Sequence, residues 1–508
     1  MSASSQPSSG FESSGATSTT NPSASSESAP RPDGETGTWS FGGLNPSVVK
    51  ALTAVGFAIP VFGYLALLRH YQTNALIGDQ WDDVPVIRAS YRHFPDWASL
   101  WGLHNGNRIL FPNLIVVALA HTVHFNIEVE QWLGALMLLA ATALFIFSHK
   151  RRSPQTPMLY YCPIAFLTLS FAQWQNTLWG FQMAWYLVLL SLAGTIALLD
   201  RPTLTVPTFV AAAVVAVVGS YSSSQGLLIW PVGLLLLYLR RRTKWTFVSW
   251  IAVAGATTAV YFYNFSYPGR ADNPHNALDH PWETVKFFIY ALGDVVGVQP
   301  QNRVPANGAV MIFGVVILLL AVLVLIKWGF RRDEHSGVPI GIALIVFGLM
   351  FALLFTEDRV ILGLRSAAQS RYTTNDILVL AGIYVATLSG LSSHVRTRSK
   401  RQGEREPGQP ERTFAGVRDC IDRIDRRTIR WLAIAAILIQ VVSSVHYALP
   451  GARQFRQTSV VSADITRNIN HESNATVTYG LGIFIPEPAV WFREQAQFLR
   501  EHHLSLFG

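Results

Sequence analysis

Charge and cysteine are both scarce in this sequence. Only 14% of its 508 residues are Asp, Glu, Lys or Arg, whereas 50% are hydrophobic and the mean hydropathy is +0.28. That balance excludes an ordinary soluble globule and points to an integral membrane protein. The two cysteines are Cys162, in an apolar run, and Cys420, in a basic loop. They exclude a disulfide framework and have no zinc-binding spacing. No P-loop, dinucleotide fingerprint, zinc motif or Ser/His/Asp order stands out. Lysine is rarer still, six of 39 cationic residues, an arginine bias that fits a high-GC bacterial genome.

Long apolar runs are abundant. Spans are expected near 49–68, 129–147, 156–172, 181–199, 205–220, 226–239, 246–264, 308–326, 337–356, 376–392 and 431–448, because about 20 apolar residues cross a hydrocarbon core. The run 109–125 carries Pro112, Asn113, His121 and His124 and makes a poor lipid-facing span. The short basic loops "SHKRRS" (148–153), "LRRRTK" (239–244) and "KWGFRR" (327–332), with the long basic stretch 393–430, belong on the cytoplasmic side. Those assignments agree only if 109–125 is re-entrant or interfacial. The expectation is therefore an all-α polytopic membrane protein with about eleven spans. The N-terminus is cytoplasmic and the tail 449–508 lies outside. Residues 1–44, rich in Ser, Gly, Thr and Pro, read as a disordered tail without a cleavable signal. The site of expected localisation is a bacterial plasma membrane, with membrane lipids as partners and no nucleic-acid partner.

Polar chemistry gathers in the segments assigned to the outer face. "IGDQWDDVPVIRASYRHFPDWASLWGLHNGNR" (77–108) places Asp79, Asp82 and Asp83 within five residues, in the outer loop 69–128. On a helix these positions share a face, and three close like charges raise at least one pKa. Such a carboxylate suits a general base toward a hydroxyl; the plainer reading is a solvated loop anchoring the first span. Three carboxylates also suit a hard divalent cation, although no full ligand set is visible. In "HNGNR", His104 and Arg108 are four apart and can share a helical face. With Asn105 they suit an anionic or hydroxyl-rich ligand, or else form a polar cap on 109–125. "AQWQNTLWGFQMAW" (172–185) sets Gln175 and Asn176 beside indoles, either as a sugar platform or as an interfacial belt. "SSSQG" (222–226) reads as a helix cap. Arg371 precedes a span and could hold a phosphate or simply snorkel, and Arg365 is a weaker candidate.

The order of these features resembles the GT-C class of membrane glycosyltransferases. The resemblance rests on a first span, "GDQWDD" in an outer loop, the segment 91–125, and a span ending in "SHKRR". It covers about the first 200 residues, with span count beyond, and its motifs are short. The frequent His-Pro-Pro of the class is absent, and "HNGNR" stands near its place. The resemblance implies transfer of a sugar, with inversion, from a polyprenyl-phosphate donor to a cell-envelope acceptor. It places the catalytic carboxylate at Asp79, with Asp82 or Asp83 as second acid and Arg371 at the leaving phosphate. The alternatives are a degenerate binder of lipid-linked sugar and a non-catalytic transporter or envelope-assembly partner. Most spans lack an ionisable residue in their middle, which weighs against an ion-coupled transporter. In the tail, Val490, Phe492, Ala496, Phe498 and Leu499 have roughly helical spacing and predict an amphipathic helix.

Overall fold

The computed structural model describes residues 45–266, 276–297, 308–329, 331–389, 424–482 and 487–508. The tail 1–44, most of the basic stretch 393–430, Cys420 and part of 265–307 lie outside the described residues. The chain is an all-α membrane protein. Seven helices are long and apolar enough to span a bilayer: Pro46–Tyr71, Ile127–Arg152, Gly180–Leu199, Lys244–Phe262, Gly308–Gly329, Val338–Leu362 and Arg426–Arg467. The helices that matter most for function are α1 (Pro46–Tyr71), α2 (Asp83–Arg92), α3 (Leu110–Val123) and α4 (Ile127–Arg152). Further along come α5 (Pro281–Gly293), α6 (Thr373–Leu388), α7 (Arg426–Arg467) and α8 (Ala489–Glu501). Among the described residues, the one sheet is a hairpin of two residues per strand, Leu103–His104 with Asn107–Arg108.

Several expected spans differ in length. Val206–Ser220, Ser224–Leu239 and α6 are apolar but shorter than the seven. The run 156–172 is not one helix. It breaks into a 3-10 turn, Met158–Tyr161, and a helix Cys162–Thr168. Proline causes the division: Pro157 caps the first piece and Pro163 opens the second, and neither can donate to a preceding turn. The doubtful run 109–125 forms α3, whose 14 residues reach only about 21 Å, too short for a 30 Å core. The last span does not stop at 448. Helix α7 runs 42 residues through Pro450, so the tail begins as its continuation.

The basic loops meet at one end of the bundle. Asp200 is fully buried, and Arg151, Arg152 and Arg240 reach its carboxylate at 3.6, 3.0 and 2.5 Å. Arg240 also donates to the carbonyls of Asp333 and Ser336, and Lys327 to that of Ile424. Four arginine- or lysine-bearing segments are thereby tied together by one carboxylate and several carbonyls. At the opposite end of α4 sits Glu130, 22 residues before Arg152 and so about 33 Å away along the axis. The acidic loop packs there.

The tail covers that loop. Four of the five expected apolar positions of α8 are buried: Phe492, Ala496, Phe498 and Leu499, while Val490 is exposed. Phe492 packs edge-on against Trp81, Tyr91 meets Phe498, and Arg88 donates to the Glu494 carbonyl at 2.6 Å.

Candidate functional site

The acidic loop is not a regular α-helix at first. Gly78–Asp82 is a 3-10 turn that passes into α2 at Asp83. With three residues per turn, positions i and i+3 eclipse. Asp79 and Asp82 therefore stack on one side, and Asp83 is turned away into the interior. The expected single face of three acids becomes two acids outward and one inward.

The "HNGNR" stretch is a hairpin, not a helix start. Asn105 and Gly106 have φ of 47° and 76°, the positive pair that a tight type I′ connection needs. His104 pairs with Asn107 and Leu103 with Arg108. Strand alternation sends the side chains of His104 and Arg108 to opposite faces, which corrects the shared helical face expected from their spacing.

His104 swings between the two outward acids. Its Nδ1 lies 3.2 Å from Oδ2 of Asp82 and its Nε2 lies 3.6 Å from Oδ2 of Asp79. Phe181 packs on the imidazole with ring centroids 4.7 Å apart. Burial alone would push its pKa down, but the hydrogen bonds and charges of Asp79 and Asp82 outweigh it and raise it to about 9. The ring is then an imidazolium, and both nitrogens donate. The Asn105 amide, 3.0 Å from Nε2, must turn its oxygen toward it.

Asp83 is a different kind of acid. It is buried, and its carboxyl is held well above the usual carboxylate range, first by burial, then by the negative charge of Glu130 and also that of Asp82. The charge of His104 and a hydrogen bond from Gln80 oppose that shift without overcoming it. Gln80 Nε2 donates to Asp83 Oδ2 at 3.0 Å and to Glu130 Oε2 at 2.8 Å. Its Oε1 accepts from the Phe181 backbone N–H at 2.8 Å. One glutamine thus ties the acidic loop, the first turn of α4 and the residue under His104.

A cavity of about 430 Å³ opens over this constellation. Asp82, Asp83, His104, Asn105, Asn113 and Phe181 line it, together with Ser99, Ile109 and Glu487. Carboxylates, amides, a hydroxyl and an aromatic wall suit a hydroxyl-rich ligand. Glu487 comes from the tail, just ahead of α8. Among the described residues, no group of three or more His, Cys, Asp and Glu side chains is arranged to hold a metal ion.

The other candidates lie elsewhere. Arg108 is buried, and its guanidinium donates to the carbonyls of Trp101 (2.7 Å), Tyr263 (2.7 Å), Tyr261 (3.2 Å) and Asn264 (3.4 Å). It pins the hairpin to the end of Lys244–Phe262. Gln175, Asn176 and Arg371 do meet, but through the backbone. Gln175 Oε1 accepts from the Arg371 N–H at 3.1 Å, and Asn176 Nδ2 donates to the Arg371 carbonyl at 2.7 Å. The Arg371 guanidinium lies over the Tyr372 ring, 5.1 Å from its centroid. None of the three lines the cavity, nor does Arg365. In the serine run, Ser223 and the Ser224 N–H both donate to Asn107 Oδ1, so it braces the hairpin.

Sequence reasoning missed Gln80, Asn113, Phe181, Glu130 and Glu487. Gln80 stood inside the quoted acidic stretch. Glu130 is an acid in the opening turn of a span, a signal of the same kind. Glu487 carried no local signal, because only tertiary packing brings it near. No family model matches this chain, and no curated protein or solved structure does so either.

Proposed function

We propose that the chain transfers a sugar from a polyprenyl-phosphate donor to a hydroxyl acceptor of the cell envelope, with Asp82 as the base. The observation that carries this reading is the Asp82 carboxylate on the cavity wall, 3.2 Å from the His104 imidazole. Asp82 is a third exposed, whereas Asp79 is more enclosed and does not line the cavity. The base role therefore moves from Asp79 to Asp82, and Asp79 orients His104. In an inverting transfer the acceptor oxygen attacks the anomeric carbon and gives its proton to Asp82. The bond from that carbon to the phosphate oxygen breaks on the opposite face. Polyprenyl phosphate leaves from that face, while His104, with its two ring nitrogens turned to Asp82 and Asp79, orients the base and is not the phosphate's cation; Arg371, which does not line the cavity, does not take that role either.

The reading includes a location. The cavity lies at the end of the bundle opposite the basic loops, and by the positive-inside rule those loops face the cytoplasm. The cavity then opens on the outer face of a bacterial plasma membrane, in a GT-C-like arrangement with α2 and α3 as juxtamembrane helices. Val206–Ser220, Ser224–Leu239 and α6 add three passages to the seven long helices, and the broken run 156–172 makes the eleventh.

A second reading is favoured by one observation. Asp82 is already engaged by His104, and an engaged carboxylate is a weaker base. A non-catalytic binder of lipid-linked sugar fits that state. The purified full chain, given a radiolabelled polyprenyl-phosphate sugar and envelope acceptors, separates the two. Transfer that is lost in Asp82→Asn with retained donor binding supports catalysis. Wild-type binding without transfer supports the binder, and unchanged transfer by Asp82→Asn overturns the assignment of the base.

A further inference from the structure

A second polar cluster lies inside the helical bundle, away from the cavity. Asp294 ends α5 in a short 3-10 turn, Asp294–Val296, and Asp376 sits in the first turn of α6. Asp294 is 1% exposed and Asp376 2%. They are near enough for the charge of Asp376 to act on Asp294. Both carboxylate oxygens of Asp294 and Oδ1 of Asp376 are enclosed without a hydrogen-bond partner. Among the described residues, no salt bridge reaches either acid.

A third element brings an independent signal. Gln440 of α7 is fully buried, and its Nε2 donates to the Val295 carbonyl at 3.0 Å and to Ser170 Oγ at 2.7 Å. That anchors its amide one residue from Asp294, yet its Oε1 has no partner. Asn375, beside Asp376, is fully buried with both amide atoms unpartnered. Isolated buried carboxylates are costly, and each lone carboxamide oxygen adds its own unmet desolvation. A proton on each acid supplies one donor to one acceptor. A single hard cation takes six to eight oxygens at once and balances two carboxylates if it is divalent. Buried ionisable residues within a membrane domain mark functional sites by default.

We propose that Asp294, Asp376 and Gln440, with Asn375 beside them, form a buried binding site for one calcium-like divalent cation. The donor set is all oxygen. Magnesium is the poorer occupant, because it usually keeps several waters of its own, and these side chains are fully enclosed. The site ties three elements, α5, α6 and α7, so occupancy locks the first half of α7 against α5 and α6.

The test uses the detergent-purified full chain after treatment with a chelator. Equilibrium dialysis with radioactive calcium gives the stoichiometry, and thermal unfolding is followed with calcium, magnesium, sodium or none. The expected result is one calcium per chain and a rise in Tm of several degrees. Asp294→Asn and Asp376→Asn should each abolish both, while unfolding cooperatively in chelator at a Tm no lower than wild type. Asp82→Asn should keep the binding. No calcium binding by wild type overturns the proposal, and so does a Tm that responds to sodium or to pH alone. Binding lost in Asp82→Asn but kept in Asp294→Asn also overturns it, because the cation then sits in the polar cavity. These readouts are independent of sugar transfer.

Discussion

The imidazole of His104 sits 3.2 Å from the carboxylate of Asp82 and is held by Asp79 on its other side. That pairing has a defined pH signature. The folded pKa of His104 is raised to about 9 from an ordinary 6.5. A group with a raised folded pKa binds its proton more tightly when folded. Its stabilisation is complete below about pH 6.5 and is lost as pH rises through 9. A gap of this size corresponds to roughly 3 kcal/mol, at about 1.4 kcal/mol per unit. The Tm of wild type minus that of His104→Gln should therefore fall steadily between pH 6.5 and 9.5. A difference that is flat over that window rules out the imidazolium.

Asp83 should behave in the opposite sense to an exposed acid. Its folded pKa is raised by burial and by the charge of Glu130, so folding favours the protonated form. Its penalty is absent in acid and grows as pH climbs above the ordinary carboxylate value of about 4. Asp83→Asn keeps an oxygen for the Gln80 amide and cannot ionise. The variant should match wild type near pH 4 and become more stable than it by pH 7–8, measured by thermal unfolding in detergent. A variant less stable at pH 8 than at pH 4, relative to wild type, shows that Asp83 is ionised in the fold.

How much of this was legible depends on the range of the cause. The spans follow from apolar run length, a local property, and seven appear as long helices. Pro157 and Pro163 were visible breakers inside 156–172, and hydropathy alone overrode them. Asn105-Gly106 was the strongest local hairpin signal in the chain, yet the i, i+4 spacing of His104 and Arg108 suggested a helix. The acidic loop was found because charge is rare here. Its division into Asp79 and Asp82 outward and Asp83 inward depends on a 3-10 turn, which spacing does not reveal. Only loop order links Arg371 to the acids in the sequence, whereas Glu487 meets the site through packing that no local pattern encodes.

Arg108 makes a separate prediction, because its four carbonyl partners make it a brace, not a ligand contact. Lysine keeps the charge but cannot span four acceptors with a planar fork. Arg108→Lys should lose about 2–4 kcal/mol from unmet buried carbonyls, seen as a lower Tm. Donor affinity, measured on the fraction that remains folded at low temperature, should stay within about threefold of wild type, less than the tenfold that 1.4 kcal/mol brings. A large loss of affinity with unchanged Tm moves Arg108 back among the ligand contacts.

Gly180 tests whether the Gln80–Glu130 bridge controls the cavity. A methyl group at this glycine would meet Glu130 Oε2 at 2.6 Å and Ile127 Cγ2 at 3.1 Å. Neither can retreat easily, because Glu130 is buried and fixed by Gln80, and Ile127 is in the first turn of α4. Gly180→Ala should cost about 1–3 kcal/mol, as overpacking does. It should also displace Phe181, whose N–H bonds to Gln80 and whose ring packs on His104. The His104 pKa then drops toward 6.5, because the ring loses its fixed seat between Asp79 and Asp82. Gly255→Ala is the matched control: nothing lies within 4 Å of its added methyl, in the middle of Lys244–Phe262. There alanine removes backbone freedom from the unfolded chain and should stabilise by about 0.5–1 kcal/mol. Thermal unfolding of the two variants, with a pH titration of the first, reads both effects. Equal small changes in both would mean that the first turn of α4 yields, and that Gln80 does not transmit its position to His104.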